Sequence, residues 1–71
     1  MPELARYFFV VQAPSQRYDD DGGQVLPDEK TAFARASALI EELKGDGEFD
    51  YRGWLMIVQD SQGRIVFSIP F

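Results

Sequence analysis

The side chains of this chain that could do chemistry are mostly carboxylates. Asp19, Asp20 and Asp21 stand in a row ahead of Gly22 and Gly23, a set that could offer oxygen ligands to a hard cation. Calcium loops, however, alternate their ligands along the chain, place a glycine between them and add a distant glutamate. Adjacent aspartates point in different directions, so the triplet reads as a solvated turn, and no metal ligand is assigned. Glu41, Glu42, Asp46, Glu48 and Asp50 supply further carboxylates. A catalytic pair in glycoside chemistry must flank a cleft at about 5 to 9.5 Å, with one pKa raised by burial. These five fall on a polar helix face and in the loop after it, where they serve solubility.

Nucleophiles lack activation. Ser15, Ser37, Ser61 and Ser68 have no histidine to act as base, because the chain contains none, and it contains no cysteine either. The commonest general base, metal ligand and neutral-pH switch are thereby absent. Lys30 and Lys44 lie in no apolar setting that would depress their pKa values. Gly22-Gly23 and Gly45-x-Gly47 neither follow a strand nor open a helix, as phosphate-cradling loops do, and read as turn and cap glycines. No catalytic residue and no cofactor is assigned, and the expectation is a protein that is not an enzyme.

Twelve acidic residues against seven basic ones give a net charge of -5, which opposes binding to a phosphate backbone. Arg6, Arg17, Lys30, Arg35, Lys44, Arg52 and Arg64 are scattered, so nucleic acid is not an expected partner. The longest apolar runs, Tyr7 to Val11 and Trp54 to Val58, are far shorter than the roughly 20 residues of a membrane helix. Met1 to Arg6 shows no basic region leading into an apolar stretch, so no secretory signal is read and a cytoplasmic address is expected. A chain of 71 residues is expected to form one domain, with no disulfide to support its core.

The elements that must position any site are legible in outline. Ala5 to Gln12 is dense in aromatic and β-branched residues and reads as a strand with Tyr7, Phe9 and Val11 on one face. A long loop from Ala13 to Gly23 leads to a short strand, Gln24 to Leu26. Asp28 is the expected N-cap of a helix over 29 to 44, on which Ala32, Phe33, Ala36, Leu39, Ile40 and Leu43 recur at spacings of three and four. Gly45 is expected to take positive φ and close it. Two more strands, Trp54 to Gln59 and Arg64 to Phe71, flank Asp60-Ser61-Gln62-Gly63, read as a type I turn with Gly63 left-handed and Asp60 opposite Arg64.

That register sets Leu55 opposite Ile69, Ile57 opposite Phe67 and Gln59 opposite Ile65, the expected core face. Trp54, Met56, Val58 and Val66 then fall on the opposite face. The order β-β-α-β-β with a right-handed crossover implies an α+β fold: a four-stranded antiparallel sheet of order 2-1-3-4 with one helix packed on one face. The expected core is Tyr7, Phe9, Val11, Phe33, Ala36, Leu39, Ile40, Leu43, Leu55, Ile57, Ile65, Phe67 and Ile69.

Arg6-Tyr7-Phe8-Phe9 at the start, Leu26-Pro27-Asp28 opening an alanine-rich helix, and the V-x-D-x-x-G hairpin at Val58, Asp60 and Gly63 resemble a family of short bacterial proteins classed as a domain of unknown function. The resemblance spans nearly the whole chain; the stretch Ala13 to Tyr18 makes the first loop longer than that pattern implies. No activity or site residue follows from it. Asp21-Gly22-Gly23 and Pro27-Asp28 are similar to HicB-like antitoxin domains, which have a third strand before the helix and only one after it. That second similarity implies a regulatory domain binding a basic protein partner.

A single helix can cover only one face of a sheet. Phe8, Val10, Trp54, Met56, Val58 and Val66 are therefore the expected interface, an apolar strip of a size that soluble monomers rarely expose, the alternative being that strand twist and the long loops at 13 to 23 and 46 to 53 fold over part of it. The function expected is a non-catalytic protein-interaction module that pairs with itself as a homodimer through that strip, with the antitoxin-like domain as the alternative.

Overall fold

The computed structural model describes residues 4–45, 47 and 50–71. The β-branched and aromatic run Ala5–Gln12 forms β1, followed by β2 (Arg17–Tyr18), β3 (Gln24–Leu26), α1 (Glu29–Leu43), β4 (Leu55–Gln59) and β5 (Ile65–Pro70). The class is α+β, one helix on an antiparallel sheet, as the sequence implies. Strand number and order differ from expectation: the sheet has five strands in the order β2-β1-β4-β5, with β3 also paired to β1.

The difference lies on one edge. Ala13 N–H donates to the Gln16 carbonyl at 2.7 Å and closes a tight turn, so β2 pairs with Val11 and Gln12 while β3 pairs with Ala5 to Tyr7. The expected long loop is thus a turn, a short strand and a second gap. Asp20 fills that gap, accepting from the Phe9 amide at 3.1 Å and the Gly23 amide at 3.0 Å.

Asp28 caps α1 as expected, its carboxylate accepting from the Thr31 amide at 2.7 Å and the Thr31 hydroxyl at 2.6 Å. At the other end Lys44 is the C-cap, and positive φ occurs at Gly47 rather than at Gly45. The Tyr51 hydroxyl donates to the Leu43 carbonyl at 2.8 Å, satisfying one of the acceptors a helix end leaves open. Ala32, Ala36 and Ile40, four residues apart, form the seam that meets the sheet.

The β4–β5 hairpin corrects the expected core. Gly63 does take positive φ, and Asp60 N–H donates to the Arg64 carbonyl at 2.9 Å. Gln59 pairs with Ile65 as expected, but the next pair is Val58 with Phe67, then Ile57 with Ser68, Met56 with Ile69 and Leu55 with Pro70. Val66 is the extra residue of a bulge. One inserted residue reverses the facing of β4 relative to Phe67 and Ile69, which keep their expected place on the core side. Met56 and Val58, 1% and 0% exposed, therefore join Tyr7, Phe9, Ala32, Ala36 and Ile40 in the core, with Val66, Phe67 and Ile69 packed against it. Leu55, Ile57 and Ile65 face the other way, and Phe33 and Leu43 on α1 remain almost half exposed. No described helix is long and apolar enough to cross a membrane.

Candidate functional site

Of the residues expected to form the open strip, Phe8 and Val10 do lie on the face turned away from α1. Trp54, Met56, Val58 and Val66 do not. The bulge at Val66 carries Met56 and Val58 under the helix, and Trp54 turns to the helix side, where its ring stacks on Tyr18 (6.0 Å, 16°) and meets Tyr51 edge-on (5.0 Å).

The open face is rebuilt from the pairings. Val10 stands opposite Ile57 at its centre, and both are buried, 2% and 7% exposed, although neither belongs to the core under the helix. Phe8 and Leu55 flank this pair, half-buried, and Ile65 and Val25 stand exposed at its margins. The Phe8 ring lies against Gly23, just before β3, where a Cβ would stand 3.0 Å from it. Among the described strand residues of this face, Arg6, Gln12, Arg17, Gln59 and Ser68 are polar and none is acidic. In a chain with twelve carboxylates that distribution leaves the negative charge on the helix and the loops. Val25, Leu55, Ile57 and Ile65 are apolar face residues that sequence reasoning missed. The signal that could have found the three on β4 and β5 is Ile65-Val66-Phe67, three apolar residues in succession, where strict alternation breaks.

The carboxylates come together in no catalytic or metal-binding set. Asp19 pairs with Arg17 at 2.7 Å, Asp20 is engaged with backbone amides, and Asp50 accepts from the Arg52 amide at 2.9 Å. Glu41 and Glu42 are exposed on the helix. Asp46 and Glu48 lie outside the described residues. Among the described residues no group of three or more acidic side chains is arranged to hold a metal ion.

Two shifted carboxylates are structural. The Thr31 hydroxyl, then the Thr31 amide, hold Asp28 below the usual carboxylate range. The Arg64 amide, then the Gln62 amide, do the same to Asp60 against the opposing pull of desolvation. Burial foremost, with the carboxylates of Glu29, Asp28 and Asp60 adding to it, raises Tyr7 above the usual phenol range.

Compared with known proteins, residues 6–71 match the family described as Domain of unknown function (DUF6894). No curated protein and no solved structure matches the chain.

Proposed function

The chain belongs to this family of unknown function, and on that premise we propose that it is a non-catalytic protein-interaction module that pairs with a second copy of itself through the open sheet face. The observation that carries the reading is the apolar surface on the face that α1 leaves uncovered, where Ile65 and Val25 stand exposed and Phe8 and Leu55 half-buried around the already buried Val10–Ile57 pair. One self-complementary patch suffices for a C2 dimer. The molecule measures 43 × 21 × 17 Å. Because the described strand residues of that face include no carboxylate, two copies can meet without setting acid against acid, despite the net charge of -5.

Sedimentation velocity tests this. Wild-type protein is expected to sediment as a dimer, and Leu55→Asp or Ile65→Asp to convert it to a monomer, while Ala38→Asp on the exposed side of α1 leaves it dimeric. A wild-type protein that is monomeric at every concentration refutes self-association. An antitoxin-like domain that captures a basic partner is favoured less, since the described strand residues of the open face include no carboxylate to offer such a partner. The similarity of Arg6 to Phe9, Leu26 to Asp28 and the Val58 to Gly63 hairpin to short bacterial proteins supports reading it as a bacterial protein.

A further inference from the structure

We propose that the cleft between the β1–β2 turn and the C-terminal end of α1 binds an uncharged planar aromatic or heteroaromatic small molecule. The cleft has a volume of about 650 Å³, within the usual range for small-molecule sites. Its walls are Val11, Pro14, Tyr18, Leu43, Tyr51 and Trp54. The Tyr18 and Trp54 rings lie within 16° of parallel, and Tyr51 stands across Trp54 at 79°. Such walls suit a flat molecule, stacked on one ring and met edge-on by another.

The rings are set before a ligand arrives. The Tyr51 hydroxyl is tied to the Leu43 carbonyl at 2.8 Å, and the Tyr18 hydroxyl to Gln16 Oε1 at 2.8 Å. The backbone amide of Trp54 donates to the Tyr51 carbonyl at 3.0 Å and that of Phe71 to the Trp54 carbonyl at 3.1 Å, which fixes the backbone from which the Trp54 ring projects. Preorganised walls lose little freedom on binding. Tyr18 is nonetheless 48% exposed, so a stacking surface faces solvent.

Charge decides the ligand class. More than a quarter of the chain's residues are charged, yet none of the described lining residues is. An ionic ligand would lose hydration with no counter-charge to replace it. Ser15 and Gln16 supply a hydroxyl and an amide at the turn side of the cleft, enough to orient a ring nitrogen or carbonyl. A sugar, whose many hydroxyls need many polar partners, fits this lining poorly.

Trp54 is the chain's single tryptophan, so its emission and its indole N–H resonance report on the cleft directly. Titration of the full chain with quinoline at neutral pH is expected to give a saturable change in both, with amide shifts confined to the cleft. Quinoline-2-carboxylate should bind at least about tenfold more weakly, and Tyr18→Ala should weaken quinoline binding by about tenfold, the size of a lost stacking contact. If Tyr18→Ala fails to fold, Leu43→Ala reads the same wall. No saturable change in the wild type, equal binding of the carboxylate, wild-type affinity in a folded Tyr18→Ala, or binding of a proline-rich peptide in place of quinoline each overturns the proposal. The cleft lies on the helix side, so Ile65→Asp should bind quinoline like the wild type whether or not the chain dimerises.

Discussion

Asp20 stands where a strand is missing: its carboxylate accepts the Phe9 amide at 3.1 Å, on the stretch of β1 that neither β2 nor β3 reaches. The second oxygen takes the Gly23 amide at 3.0 Å and so ties the start of β3 to the same point. A sheet edge left unpaired beside an apolar core is costly, and a charged acceptor is a strong substitute. Asp20→Ala is expected to cost about 1–3 kcal/mol, since it removes both acceptors at once. Asp20→Asn keeps one oxygen and should cost less. Urea unfolding followed by circular dichroism measures both, and an alanine variant as stable as the wild type would show that the edge does not depend on this side chain.

Gly22 and Gly23 are neighbours with opposite sensitivities. A methyl group on Gly23 would sit 2.7 Å from the Tyr7 carbonyl oxygen, at a φ of +67° that side chains rarely adopt, whereas one on Gly22 meets nothing within 4 Å. Gly23→Ala should therefore destabilise by about 1–3 kcal/mol, and Gly22→Ala should stay within about 0.5 kcal/mol of the wild type. Comparable losses at the two positions would mean that the Gly23 backbone is not fixed against β1.

Local signals in the sequence were strong where a single residue type sets the geometry. Asp28 announces the helix start, Gly63 the hairpin turn, and the spacing of Ala32, Ala36 and Ile40 the buried seam. The candidate face was half legible for a physical reason. Leu55-Met56-Ile57-Val58 is apolar throughout, so nothing in β4 itself says which residues point inward. Its orientation comes from β5, and there the bulge at Val66 reverses the answer. Likewise β2 holds only Arg17 and Tyr18, too short a run to show an alternation, and its place is set by the tight turn from Ala13 to Gln16.

Truncations in β4 and β5 separate the two faces energetically. Met56→Ala, in a fully enclosed position, is expected to cost about 2–5 kcal/mol, and Val58→Ala about 1.5–3 kcal/mol. For a chain of this length the total stability is roughly 4–10 kcal/mol, so either change should lower the urea midpoint visibly. Ile65→Ala removes a side chain that is already 61% exposed and should cost less than about 1 kcal/mol in the monomer. Were Ile65→Ala the most damaging of the three, the register beyond the bulge would be wrong.

The titrating groups set the shape of the stability profile. Asp28 and Asp60 have folded-state pKa values below their unfolded ones, held there chiefly by the Thr31 hydroxyl and the Arg64 amide. The unfolded chain therefore binds protons first as pH falls, and the stabilisation is present above the ordinary carboxylate range and lost as pH drops through the lowered values. Tyr7 behaves in the opposite sense. Burial raises its folded pKa, so its contribution is complete below the ordinary phenol range and is lost as pH rises through the raised value. Urea midpoints measured across pH should thus form a plateau with two falling limbs. Asp28→Asn, which retains a good cap, and Asp60→Asn should flatten the acid limb, and Tyr7→Phe the alkaline one. A wild-type midpoint that climbs as the pH falls below the carboxylate range would contradict the hydrogen bonds assigned to both aspartates.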